Sequence, residues 1–135
     1  MISALKDPDT GNLDRVQVIK GWLDSEGNTQ EQVYDVVCSG DRVVAGRRCN
    51  APVGNTVDVA TATYTNSIGA ASLKVIWTDP DFDAAQKAFY YVRVLEIPTP
   101  RWTTYDAVRY GIDLPDDVPA SQQDRAYTSP IWYTP

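Results

Sequence analysis

Between Ala70 and Thr78 the apolar side chains fall on every second residue, at Ala71, Leu73, Val75 and Trp77. A repeat of two puts side chains on one face of a pleated strand and scatters them around a helix, so this stretch reads as a strand with one buried face. Arg15–Leu23 reads the same way, with Val16, Val18 and Trp22 on one face. Past the turn residues Asp24-Ser25-Glu26-Gly27-Asn28, Thr29–Cys38 returns as its hairpin partner. Asn55–Thr65 is expected to be a further strand, carrying Val57, Val59, Thr61 and Thr63 on one side. Ala88–Ile97 is apolar on both faces, which suits a central strand. Arg125–Tyr133 reads as a last strand in which Pro130 forces an edge position or a bulge.

The acidic residues favour the same class. The chain has 15 Asp but 3 Glu, beside 15 Val and 12 Thr. Asp prefers caps and turns and Glu prefers helices, while Val and Thr suit half-buried pleated surfaces. One helix is expected, beginning at Thr103, with Thr103 and Asp106 at capping-box spacing and Gly111 as its left-handed terminus. Asp83 is placed to cap one short helical turn through Lys87. Ile2–Leu5, before the turn signals of Asp7-Pro8-Asp9 and Gly11-Asn12, reads as the end of a strand belonging to an upstream segment. The whole predicts a mainly β chain: a single antiparallel sandwich over residues 1–135, of about six or seven strands, with a helix-bearing crossover over 98–124.

The function classes narrow quickly. With 12 basic against 18 acidic residues the net charge is −6 and no basic stripe exists, so nucleic acid is not an expected partner. No apolar run approaches the length of a membrane span. The chain has no histidine, which removes Ser-His-Asp and Cys-His nucleophiles, His-ligated zinc and imidazole acid–base chemistry.

Four constellations remain. Cys38 and Cys49 flank the Gly-containing segment Ser39–Arg48. A disulfide there would stabilise the fold by roughly 3 kcal/mol and imply an extracytoplasmic protein; the alternative is two unpaired thiols. Asp79, Asp81 and Asp83 sit on alternate residues of one turn, where carboxylates can converge on Ca²⁺, or can simply be solvated with Asp83 as a cap. Glu96 with Asp35 or Asp58 would make a paired-carboxylate hydrolase, but Arg93 and Arg101 offer ion pairs instead, and that reading is rejected. Trp77, on its alternating face, is expected in the core, whereas Trp102 and Trp132 border Pro-containing segments and suit a partner surface as well as internal packing.

Several segments are longer and more specific than these. They are Asp14–Trp22 (Asp-Arg-Val-Gln-Val-Ile-Lys-Gly-Trp), Val53–Asp58 (Val-Gly-Asn-Thr-Val-Asp) and Trp77–Asp83 (Trp-Thr-Asp-Pro-Asp-Phe-Asp). Two more are Phe89–Trp102 (Phe-Tyr-Tyr-Val-Arg-Val-Leu-Glu-Ile-Pro-Thr-Pro-Arg-Trp) and Arg125–Pro135 (Arg-Ala-Tyr-Thr-Ser-Pro-Ile-Trp-Tyr-Thr-Pro). From about Leu5 to Pro135 the chain resembles the C-terminal part of the bacterial family called domain of unknown function 3604. The resemblance implies parents several-fold longer, many of them exported. Their N-terminal part is similar to PHP (polymerase and histidinol phosphatase) metal-dependent hydrolases, whose His and Asp clusters hold divalent metals. Tyr90–Val94 and Tyr127–Trp132 also resemble the last strand pair of many PHP-type proteins.

None of the family's His motifs is present here, so no catalytic residue and no cofactor is carried over, and the metals are expected in the N-terminal domain. The expectation is therefore a non-catalytic accessory β-domain packed against that catalytic domain, in the periplasm or outside the cell. Pro98–Trp102 and Ile131–Pro135 are expected at the seam, with Arg93, Arg101, Trp102 and Trp132 as interdomain or substrate-side candidates. A seam of this kind also predicts an exposed apolar patch and a homodimer. The alternative is an extracellular carbohydrate- or ligand-binding sandwich with a Ca²⁺ site at Asp79–Asp83.

Overall fold

The computed structural model describes residues 1–135, and the chain is mainly β. Its strands are β1 (Ile2–Leu5), β2 (Leu13–Leu23), β3 (Thr29–Cys38), β4 (Val44–Ala45), β5 (Arg48–Cys49), β6 (Ser72–Val75), β7 (Ala88–Glu96), β8 (Thr99–Pro100), β9 (Ser121–Gln122), β10 (Arg125–Tyr127) and β11 (Ile131–Tyr133). The helix α1 (Trp102–Tyr110) lies between β8 and β9. A five-stranded antiparallel sheet in the order β10–β7–β2–β3 organises the molecule, with β11 paired to the start of β7. β7 is central, as its two apolar faces require.

One face of that sheet is covered by the β1–β6 pair, in which Ile2 faces Val75 and Ala4 faces Leu73. Between the layers lie Leu13, Val16, Val18, Tyr34, Val36 and Leu73, all buried, with Trp77, Tyr90, Val92 and Val94 packed around them. The period-2 face of Leu73, Val75 and Trp77 therefore does close the core, and the result is sandwich-like. Ile2–Leu5 is a strand that pairs within this domain, on β6.

Several expected elements differ. Asn55–Thr65 is not a strand: Asn55 Oδ1 accepts from the Val57 amide at 2.9 Å and Asp58 Oδ1 from the Ala60 amide at 3.0 Å. Those side chains capture amides that a ladder would need, and the chain closes a turn across the Asp58–Thr63 bridge. Asp83 likewise takes the Ala85 amide at 2.8 Å without starting a helical turn. Thr103 is not the helix cap. Arg101 holds the cap position with no side-chain bond, and Thr103 Oγ1 is buried without a partner. Gly111 ends the helix at φ 63°, as its sequence position predicts. Arg125–Tyr133 is split around Ser129-Pro130 into β10 and β11, both on β7, because proline cannot donate to the ladder.

The two expected seam segments do not meet. Ile131–Tyr133 pairs with Ala88–Tyr90 at the start of β7, whereas Pro98–Trp102 continues from its end. A nine-residue strand separates them by about 26 Å.

Candidate functional site

The face of the five-stranded sheet away from β1–β6 is open, and its side chains can be placed row by row from the register. Gly21 lies opposite Phe89, and Phe89 opposite Trp132. The next row pairs Ile19 with Tyr91. Beyond it Asp35, Gln17, Arg93 and Tyr127 form a row across four strands, and the last row carries Arg15, which is ion-paired to Asp14, with Leu95 and Arg125. The face thus grades from aromatic at one end to basic at the other.

At the aromatic end the rings touch in sequence. Trp132 tilts on Phe89 with centroids 5.2 Å apart, and Phe89 stands parallel to Tyr91 within 9° at 6.4 Å. Tyr91 then meets Tyr127 at 6.2 Å. Ile19 beneath them is 1% exposed, yet Trp132 is 72% and Tyr127 56% exposed, so this row is a platform with its outer surface in water. A hollow of about 510 Å³ opens over Gly21, walled by Phe89, Trp132, Leu23, Glu31 and Lys87.

At the basic end, Arg93 Nε donates to Gln17 Oε1 at 2.6 Å, and Gln17 Nε2 donates to Asp35 Oδ1 at 2.6 Å. This chain fixes Arg93 without neutralising it. The ion pairs of the molecule go to Arg15, Lys20, Arg42, Arg47 and Arg48, and none to Arg93 or Arg125. The Tyr127 hydroxyl lies beside both guanidiniums, Arg125 first and Arg93 second, which hold its pKa below the ordinary phenol value.

The Asp79–Asp83 turn docks on the covered face. Lys20, on the same side of β2 as Val16 and Val18, is 2% exposed and donates to Asp79 Oδ2 and the Asp81 carbonyl, each at 2.7 Å. Tyr90 donates to Asp79 at 2.8 Å, while Asp81 accepts from Tyr34 at 2.7 Å and from Arg47 at 2.8 Å. Burial pushes Asp79 up, but the Lys20 ammonium, the Asp81 amide and the Tyr90 hydroxyl outweigh it and hold the carboxyl below its usual range. Burial, then donation to Asp81 and Asp79, pushes Tyr34 and Tyr90 well above theirs. The three carboxylates so turn to different partners of this chain, and no three His, Cys, Asp or Glu side chains are grouped to hold a metal.

Cys38 and Cys49 form a disulfide. It pins the Ser39–Gly54 segment to β3, where the Cys49 amide also donates to Asp35 Oδ2 at 2.8 Å. Glu96 meets no arginine and neither Asp35 nor Asp58; its Oε1 accepts from the Thr10 hydroxyl at 2.8 Å. Arginine pairing falls to Asp14, Asp35 and Asp81 instead.

The four candidate surface residues separate into two places. Arg93 and Trp132 share the open sheet face. Arg101 and Trp102 begin α1, whose outer side exposes Trp102 (64%), Tyr105 (46%) and Val108, while Thr104 and Ala107 face inward; Ile112, just past the Gly111 cap, is exposed as well. Sequence reasoning missed Lys20, Asp14 and Tyr127. For Lys20 a signal existed: it interrupts the Val16, Val18, Trp22 face at a core position.

A family model described as "Protein of unknown function (DUF3604)" matches residues 1–135. No curated protein and no solved structure matches the chain.

Proposed function

The chain belongs to the DUF3604 family, and from that membership we propose that it serves as a non-catalytic β-domain docked on a metal-dependent hydrolase domain of PHP type. The observation that carries this reading is the outer side of α1. A nine-residue helix between two-residue strands presents Trp102, Tyr105 and Val108 to water at spacings of three residues. An amphipathic helix normally turns such a stripe inward; here the inward positions are the small Thr104 and Ala107. A stripe of this sort suits a neighbouring apolar surface, and the Arg101 side chain, whose buried Nε has no partner, lies at its edge.

Two further features support the reading. The chain has no histidine, and no three His, Cys, Asp or Glu side chains are grouped to hold a metal, which fits a role beside a separate metal-bearing domain. The disulfide is compatible with an oxidising, extracytoplasmic setting, and no helix is long and apolar enough to cross a membrane.

Hydrogen exchange tests the proposal. In a full-length family protein the α1 amides should exchange at least tenfold more slowly than in residues 1–135 alone, and Trp102→Ala should erase that difference. Equal exchange in both proteins, or protection in a homodimer of residues 1–135, would overturn the docking reading.

A further inference from the structure

The open sheet face lies apart from α1, and nothing in the docking reading uses it. It combines two features that are unusual on one surface: a row of aromatic rings, exposed at Trp132 and Tyr127 and half-buried at Phe89 and Tyr91, and, at one end, two arginines that form no ion pair. The rows run from Trp132–Phe89 to Arg125–Leu95, six residues along β7 and so about 20 Å. In a chain of net charge −6, arginines left unpaired mark a place where the counter-charge comes from outside.

We propose that this face binds an acidic polysaccharide, with pyranose rings seated on Phe89, Tyr91 and Trp132 and a sugar carboxylate on Arg93 and Arg125. A pyranose has an apolar C–H face and a polar rim. The first suits the flat rings; the rim suits Glu31, Lys87 and Thr134, which border the hollow over Gly21. A planar carboxylate suits the guanidinium fork, and Gln17 holds Arg93 by its Nε, with the Tyr127 hydroxyl beside the guanidinium and no ion pair formed. Asp35, in the same row as Arg93, is already taken by Gln17 and the Cys49 amide and forms no ion pair with it. A neutral glycan would leave both arginines without a counter-charge, and an acidic peptide would leave most of the ring platform uncovered.

Affinity electrophoresis of the 135-residue chain tests this in gels containing polygalacturonate, hydroxyethylcellulose, dextran sulfate or polyglutamate at about 0.15 M salt, where exposed charges are screened beyond roughly 8 Å. Polygalacturonate alone is expected to retard the protein strongly. Trp132→Ala and Arg125→Gln, both at exposed positions, should each weaken retardation about tenfold with an unchanged thermal midpoint. Arg93→Gln should do the same, and Arg125→Gln keeps the test valid if loss of the Gln17 bond disturbs the fold. The proposal is overturned by absence of retardation, by equal retardation in the neutral glucan or polyglutamate, or by retardation in dextran sulfate that Trp132→Ala leaves unchanged. None of these results bears on α1, whose docking is read by hydrogen exchange.

Discussion

The ring of Phe89 lies across Gly21 of the neighbouring strand: a Cβ on Gly21 would stand 2.3 Å from Phe89 Cζ and 2.5 Å from Cε1. Glycine in the middle of a strand is costly for backbone entropy, and here its bare backbone is the floor on which the aromatic row begins. Gly21→Ala should push the ring off, costing about 1–3 kcal/mol of stability and tilting Trp132 away from Phe89. Urea unfolding and near-ultraviolet circular dichroism read the two effects separately. An alanine variant as stable as the parent, with an unchanged aromatic spectrum, would mean that the ring has room to move aside.

Lys20 and Asp79 form the ion pair least exposed to solvent, at 2.7 Å with side chains 3% and 6% exposed. Removing one partner leaves a buried charge, so Lys20→Met should destabilise by about 3–5 kcal/mol, and Lys20→Met with Asp79→Asn by clearly less. Denaturant midpoints of the four proteins in the cycle give the coupling directly. If the double variant loses as much as the sum of the singles, the two side chains act independently.

The same contacts set a pH dependence at both ends of the scale. Asp79 is held below its unfolded value, so its stabilisation is complete above about pH 4 and is lost as the pH falls through the folded value. Tyr34 and Tyr90 are raised, so theirs is complete below about pH 10 and is lost as the pH rises through the folded values. Stability measured against pH should therefore fall less steeply below pH 4 in Asp79→Asn, and less steeply above pH 10 in Tyr34→Phe. Parallel curves for parent and variant would assign the acid or alkaline loss to other groups.

Reduction of Cys38–Cys49 should lower stability by roughly 3 kcal/mol, through the freed loop and the slackened bond from the Cys49 amide to Asp35. Thermal unfolding with and without a thiol reductant checks this, with the paired Cys38→Ala, Cys49→Ala variant as the reference. A reductant-insensitive midpoint in the parent would show the loop held without the bridge.

What was legible in the sequence was local. The alternation of Leu73, Val75 and Trp77, the β2–β3 hairpin and the central place of β7 follow from periods and turn residues that a short window contains. The pairing of β7 with residues 125–133 was also reachable, since proline marks an edge. Asn55–Thr65 failed because two Asx side chains compete with the ladder for amides, an effect invisible to hydrophobic periodicity. The site was harder. That Arg93 and Trp132 share a face while Arg101 and Trp102 lie elsewhere depends on register, and Lys20 in the core makes sense only beside Asp79, which the chain brings back from 59 residues away.

Asp14 carries the last prediction. It sits at the irregularity between Leu13 and Arg15 and is fully buried, yet it is a carboxylate. Arg15 pairs with one oxygen, Arg42 donates to the other at 2.7 Å, and Gln123 adds a bond at 2.8 Å. Arg42 does more than neutralise: it also reaches the Asp14 carbonyl at 2.6 Å, and the Ser39 carbonyl and hydroxyl at 3.0 and 2.9 Å. One guanidinium thus ties the disulfide-closed loop to the middle of the main sheet. Arg42→Ala should cost about 3–5 kcal/mol, because a buried carboxylate loses half of its counter-charge. Arg42→Lys should recover only part, since an ammonium on a flexible stem cannot reproduce a fork that meets five acceptors. Asp14→Asn should relieve the alanine variant, so that the pair together costs less than the two alone. Urea unfolding of all five proteins decides it: a loss below about 1 kcal/mol in Arg42→Ala would mean that Arg15 and Gln123 suffice and that the loop is anchored by its disulfide alone.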